Sequence, residues 1–135
     1  YPKQTSTAKL MKGEIPILID ADFNGYGLKY EQFGPIEVVI PLEGSLKIPY
    51  VVGLVNGSPN EENGKRLLDF LFSAKGQELF AKGYVRPINP DVLTEEIESK
   101  FLPASDYERV FDVDYELMSK VQEGFNNKWL AEFGG

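Results

Sequence analysis

The sequence predicts an α/β domain, and three observations carry that prediction. Short runs rich in Ile, Val and Leu alternate along the chain with stretches of helical periodicity. The runs are almost continuously apolar, as strands of a parallel sheet buried on both faces are. Capping residues and glycine stops bracket the helical stretches. With 135 residues the chain has the length of one domain and can bury roughly two thirds of its unfolded surface.

Thr5 to Lys12 reads as a short helix, capped by Thr5 or Ser6 and stopped by Gly13. Glu14 to Asp20 reads as a buried strand, because Ile15, Ile17, Leu18 and Ile19 form one apolar run; Pro16 is tolerable near its start. Ala21 to Tyr26 is a polar turn, and Tyr26 to Phe33 holds one or two helical turns ended by Gly34-Pro35. Ile36 to Pro41 is a second strand, Leu42 to Pro49 is irregular, and Tyr50 to Val55 is a third strand closed by Gly57. Ser58-Pro59-Asn60-Glu61 has the form of a capping box, with Pro59 at the first helical position. The helix that follows carries Leu67, Leu68, Leu71 and Phe72 on one stripe. Ser73 caps a second helix that Gly83 ends. Tyr84 to Pro90 is extended, Thr94 to Phe101 is a weak helix, and Pro103 to Asp112 is loop-like with a turn near Tyr107 to Phe111. Asp112 or Asp114 caps a long last helix, in which Leu117, Val121, Phe125, Trp129 and Phe133 recur every four residues before Gly134; this stripe is expected in the core.

Composition removes several chemistries. The chain has no His and no Cys. Ser-His-Asp and Cys-His nucleophiles, HExxH zinc sites, zinc fingers and disulfides are therefore excluded. The formal net charge of −7 argues against binding a phosphate backbone, so no nucleic-acid partner is expected, and a cationic or neutral partner fits better. At 42% hydrophobic and 13% aromatic the chain is not a disordered tail. Tyr1-Pro-Lys-Gln-Thr-Ser-Thr contains no apolar run and reads as neither signal peptide nor membrane anchor.

Two segments offer binding chemistry. Asp20, Asp22, Phe23, Asn24 and Tyr26 follow directly on an expected strand, and ligands of open α/β sheets bind beyond the carboxyl ends of strands. Carboxylates there can hold a cation or accept from hydroxyls, and aromatic faces can stack on a sugar or meet an amine. The plain alternative is a turn whose Asp and Asn cap nearby backbone groups. The second segment runs from Glu43 to Tyr50, where Gly44 lets a partner approach the backbone and Glu43, Ser45 and Tyr50 can face a cleft; an ordinary connection is its alternative. Asp20 and Asp22 read as a catalytic dyad or Mg²⁺ site form a weaker reading, since carboxylates two apart are common. Glu95-Glu96-Glu98 reads as a solvated face, and Gly25-Tyr-Gly27 lacks the third glycine of a dinucleotide loop.

The order of the segments resembles the C-terminal half of a class II (extracellular family 1) solute-binding protein of a bacterial ABC importer. The stretches that carry the likeness are Lys12-Gly-Glu-Ile-Pro-Ile-Leu-Ile-Asp20, Phe33-Gly-Pro-Ile-Glu-Val-Val-Ile-Pro-Leu-Glu-Gly44, and Tyr50 to Val55. After them come Ser58-Pro-Asn-Glu-Glu-Asn-Gly-Lys-Arg-Leu-Leu-Asp-Phe-Leu-Phe-Ser73, Lys75-Gly-Gln-Glu78 and Tyr84-Val-Arg-Pro-Ile-Asn-Pro90. Each piece is weak alone; their order, over about residues 5–133, is more specific.

The resemblance implies a periplasmic-binding-protein-like II fold: helices flanking a mixed, mostly parallel sheet, in an incomplete two-lobe protein lacking its N-terminal half. By analogy residues 1–42 and 86–135 belong to lobe two, 46–83 form an excursion into lobe one, and 43–45 and 84–85 are the hinge crossings. Such a half would leave Phe70, Leu71, Phe72 and Phe80 uncovered. Pairing with the missing N-terminal half, or self-association by segment exchange, is then expected. In sugar binders of the family the segment matching 20–26 supplies an aromatic side chain, and in spermidine/putrescine binders an acidic one; this chain has both. Iron(III) binders of the wider superfamily use adjacent tyrosines, and none occur here. The expectation is a ligand-binding subunit that is not an enzyme, needs no cofactor or metal, and takes a small polar solute, sugar first and polyamine or amine second. It works with ABC permease subunits in the periplasm or outside the cell. The rivals are a small carboxylate-dependent metal enzyme or hydrolase using Asp20 and Asp22, and an interaction module without a small-molecule site.

Overall fold

The computed structural model describes residues 6–134. The helices are α1 (Ser6–Met11), α2 (Asp22–Tyr30), α3 (Glu61–Phe72), α4 (Ala74–Lys82), α5 (Glu95–Glu98), α6 (Ala104–Tyr107) and α7 (Tyr115–Phe133), with a 3-10 turn at Pro90–Val92. The strands are β1 (Ser45–Lys47) and β2 (Val110–Asp112), which pair in parallel with Ser45 opposite Val110, Leu46 opposite Phe111 and Lys47 opposite Asp112. Helices beside a small parallel sheet are compatible with the expected α/β class. The chain divides into two compact units.

The first unit takes in the described residues up to Val39 together with Val51–Ala104. Its core is built on Tyr26, which is 1% exposed, with Leu28, Ala81, Tyr84 and Ile97. The Tyr26 ring lies 6.3 Å from that of Tyr30, 6.0 Å from Tyr84 and, edge-on, 5.3 Å from Phe101. Its hydroxyl oxygen accepts the Leu102 N–H at 3.1 Å, so the buried polar atom is satisfied across 76 residues of sequence. Gln77 does similar work at the other side: Nε2 donates to the Leu71 carbonyl at 2.8 Å and Oε1 accepts the Ile88 N–H at 2.7 Å. Ser73 caps α4 as expected, its Oγ accepting the Gly76 N–H at 3.2 Å.

The second unit holds Ile40–Tyr50 and the described residues from Ser105 onward. Arg109 organises it. Its guanidinium donates to the Ile40 carbonyl at 2.9 Å and the Pro41 carbonyl at 3.3 Å, and pairs with Asp106 at 2.9 Å. Gly44 has φ 110°, and a Cβ there would meet the Phe111 ring and, at 2.9 Å, the Arg109 carbonyl, so glycine is required. Asp114 caps α7, its Oδ1 accepting the Leu117 N–H at 2.9 Å.

Several expectations are corrected. The runs 14–20, 36–41 and 50–55 are not strands, because among the described residues they have no ladder neighbour. Ile17 and Ile19 are accordingly 78% and 77% exposed. The turn expected at 21–26 is instead the start of α2 with its N-cap, Ala21; Asp20 accepts the Ala21 N–H and Asp22 the Phe23 N–H. Gly25 is tolerated inside that helix because a Cβ there would stand 2.9 Å from a Val38 methyl, so glycine permits the close approach. Ser58 does not start α3: its Oγ accepts the Asn60 N–H at 3.3 Å in the preceding turn, and the helix begins at Glu61. The loop expected from Pro103 to Asp112 contains α6 and β2, and β1 falls within the stretch read as irregular. The helix from Thr94 is capped by Thr94 but ends at Glu98. The aromatic stripe of α7 is not core: Phe125, Trp129 and Phe133 are 61%, 53% and 65% exposed. Phe70, Phe72 and Phe80 are exposed, as the resemblance implied, whereas Leu71 is half-buried. Thr5, the other cap considered for α1, lies outside the described residues.

Candidate functional site

The N-terminus of α2 gathers most of the candidate residues of the first unit. Asp20 Oδ1 accepts the Ala21 N–H at 2.8 Å and a hydrogen bond from Asn24 Nδ2 at 3.1 Å. Asp22 Oδ1 accepts the Phe23 N–H at 2.9 Å. Two carboxylates thus occupy the end of the helix where the backbone dipole is positive, which is where they are stabilised. The consequence is chemical. The Ala21 and Phe23 amides at this end already have carboxylate partners, that of Asn24 donates to the Ala21 carbonyl, and the side chains of Asp20 and Asp22 bring negative charge. This end of α2 suits an ammonium or a hydroxyl donor rather than a phosphate or carboxylate.

Phe23 and Asn24 continue into an open depression of about 330 Å³, whose wall also includes Gly27, Glu31, Gly83 and Tyr84. The volume is within the range of small-molecule sites. Asn24, Gly27, Leu28 and Glu31 are one face of α2 at spacings of three and four, so Glu31 and Gln32 belong to the site although the sequence did not single them out. The missing signal was the helix start: with α2 beginning at Asp22 rather than Tyr26, that face follows from periodicity. A larger depression, about 420 Å³, is lined only by the consecutive residues Ser58 to Asn63. It brings no distant groups together, so we place the site at α2.

Tyr26 differs from its neighbours: its ring is in the core, and its hydroxyl oxygen receives the Leu102 N–H. Around the cluster stand two cations, Arg86 with its guanidinium carbon 4.6 Å from the Phe101 ring centre and Lys100 Nζ 6.0 Å from that of Tyr84. Lys29, further along α2, donates to Glu37 at 2.6 Å, and that hydrogen bond raises its pKa above the ordinary lysine value. Glu43, Ser45 and Tyr50 lie in the second unit and are exposed. The Ser45 N–H donates to the Arg109 carbonyl at 3.2 Å as β1 begins. Among the described residues no three Asp or Glu side chains gather where they could hold a metal ion, and no helix is long and apolar enough to cross a membrane.

Residues 2–119 match the protein family described as bacterial extracellular solute-binding protein. The chain belongs to that family. Membership makes it a binding protein rather than an enzyme. Proteins from Salmonella typhimurium (strain LT2) and Salmonella typhi, each named "Putative 2-aminoethylphosphonate-binding periplasmic protein", are similar to this family member over 92 residues at 34% identity. The aligned stretch is 64% of this chain and 27% of each relative, so it spans about a quarter of the relatives' length. A protein of the same name from Salmonella paratyphi A is similar to the same extent. No solved structure matches this solute-binding chain.

Proposed function

We propose that this chain is part of the ligand-binding subunit of an ABC importer, working with permease subunits in the periplasm or outside the cell and capturing a small polar solute that carries an ammonium group. The observation that carries the reading is family membership over residues 2–119. Two further points favour an amine over the sugar that the sequence alone put first. The relatives are named for 2-aminoethylphosphonate, an amine joined to an acid group. The end of α2 offers carboxylates with their own backbone donors already engaged. In this reading Asp20 and Asp22 face the ammonium, Asn24 orients Asp20, Phe23 supplies an apolar wall, and the acid end of the solute is met elsewhere. Glu43, Ser45 and Tyr50 belong to the same proposal as groups that a second lobe edge brings to the solute. Residues 43–45 and 84–85 serve as its hinge crossings.

The energetics are those of closure. A solute held between two lobes stabilises the closed state only by the difference between its affinities for the closed and open states. The exposed apolar residues of α3, α4 and α7 are surfaces for the remainder of such a two-lobe protein or, without it, for a second copy of the chain.

The test is a thermal-shift and calorimetric titration of the protein expressed from its complete reading frame. The solutes are 2-aminoethylphosphonate, putrescine, ethylphosphonate and maltose. An amine at a hundred times its Kd is expected to add about 2.7 kcal/mol of stability. Asp20→Asn combined with Asp22→Asn is expected to weaken the amine about tenfold or more, the loss of about 1.4 kcal/mol that one charged contact readily accounts for. Equal binding by the double variant, or preference for maltose or ethylphosphonate, would sink the amine reading.

A further inference from the structure

The C-terminus of α4 carries its left-handed residue in an unexpected place. Tyr84 has φ 61°, while the glycine beside it, Gly83, has φ −87° and ψ 15°. The Val85 N–H donates to the Phe80 carbonyl at 3.0 Å and the Tyr84 N–H to the Ala81 carbonyl at 3.0 Å. That is the pattern of a Schellman cap, in which glycine normally takes the left-handed position. Here a bulky tyrosine takes it and the glycine sits one place too early.

Gly83 is not required by the observed conformation. A Cβ on it would lie 3.5 Å from the Phe80 carbonyl oxygen and 3.8 Å from that of Leu79, which is ordinary contact. Gly34 and Gly76 differ, since a Cβ on either would meet a backbone carbonyl at 3.1 Å (Leu28) or 2.8 Å (Leu71). The hydrogen bond that an earlier cap needs is already made: the Gly83 N–H points to the Phe80 carbonyl at 3.0 Å and to that of Leu79 at 3.2 Å. What holds Tyr84 in its strained conformation is packing, with ring centres 6.0 Å from Tyr26 and 6.0 Å from Tyr30.

We infer that Gly83 and Tyr84 form a two-position cap. The left-handed residue is Tyr84 in this structure and Gly83 in a second conformation, in which the Tyr84 ring leaves Tyr26 and Tyr30. The move shifts the end of α4 by one residue and changes the direction in which the chain departs. Gln77 keeps hold of the Ile88 N–H, so residues 85–87 absorb the change. Gly83 and Tyr84 also line the depression beside Phe23 and Asn24, so the cap reshapes the wall of the candidate site. The link to solute and to the 84–85 crossing rests on the proposed function; the two-position cap itself does not.

The test uses the whole chain without solute. Relaxation-dispersion NMR is recorded on the amides of residues 82–88, for the native sequence and for Gly83→Ala. The native chain is expected to show exchange on the μs–ms scale. In the variant a left-handed alanine disfavours the second conformation, lowering its population about fivefold or more. The Tm is expected to stay or to rise by about 1–4 °C, because alanine fits the observed conformation and restrains the unfolded chain. Absence of exchange in the native chain, persistence of exchange in the variant, or a lower Tm would each overturn the proposal. Exchange that behaves as expected in a protein that binds no amine would keep the cap and discard the amine.

Discussion

Two regions of this chain are both rich in aromatic residues and end up in opposite states. In the first unit Tyr26 and Tyr30 of α2, Tyr84 after α4 and Phe101 after α5 come from three separate stretches and close on one another around the buried Tyr26. On α7 the rings of Phe125, Trp129 and Phe133 form a ladder within a single helix, with centres 6.1 and 4.8 Å apart, and stay exposed. Local periodicity is enough to make the second arrangement, but burial needs groups far away in sequence. The comparison also separates two kinds of contribution to stability, since only the first region removes its rings from water.

The largest expected effect follows directly. Tyr26→Ala should cost about 3–5 kcal/mol, by analogy with large-to-small changes in cores, and should abolish near-ultraviolet ellipticity from the tyrosine cluster. Trp129→Ser on the exposed ladder should change the unfolding free energy by no more than about 0.5 kcal/mol while this chain is alone and dilute, with nothing covering α7. Equal losses from the two variants would mean that α7 is covered in solution. Equal small losses would mean that the Tyr26 cluster is not the core.

A second variant tests whether the same unit depends on polar satisfaction as well as on rings. Gln77 is 4% exposed and binds two backbone groups through one amide. Gln77→Leu keeps much of the volume but leaves the Leu71 carbonyl and the Ile88 N–H without that partner. The expected cost is about 2–3 kcal/mol, with faster hydrogen exchange at Ile88. A loss below about 0.5 kcal/mol would show that water replaces the amide.

The same comparison explains what could be read in advance. Helices announced themselves through local chemistry: Ser73, Thr94 and Asp114 each cap the helix their position suggested. Asp20 to Asn24 were visible as a polar cluster beyond an apolar run, and they do stand together at one helix end. The start of α2 was missed because the polar, glycine-bearing stretch from Ala21 to Tyr26 argued for a turn, whereas Gly25 is there to let Val38 approach. The three apolar runs misled for a different reason. An Ile-Val-Leu run states that a segment wants sheet neighbours, not that the chain provides them, and Ile17 and Ile19 have none among the described residues. Tyr26 looked like a binding residue for its type and place, but only the 76-residue link to Leu102 reveals that its hydroxyl is already engaged.

The smallest expected effect lies on the surface of α4, next to the buried face that Gln77 and Ala81 supply. Glu78 stands between Lys82 at 2.6 Å and Lys75 at 3.0 Å, and the hydrogen bond from Lys82, followed by that from Lys75, holds its carboxyl below the usual value of 4.5. A carboxylate whose pKa is lower in the folded state adds stability that is complete above its unfolded value. That stability is lost as the pH falls through the folded value. Glu78→Gln should therefore lower the Tm slightly at pH 7, and the gap to the native chain should close as the pH is taken below about 4.5. The gap should also shrink in high salt, because the site is solvated and exposed ion pairs are screened. A gap that widened on acidification would mean that Glu78 acts through packing or helix propensity instead, and would put the surface of α4 on the same footing as its buried face.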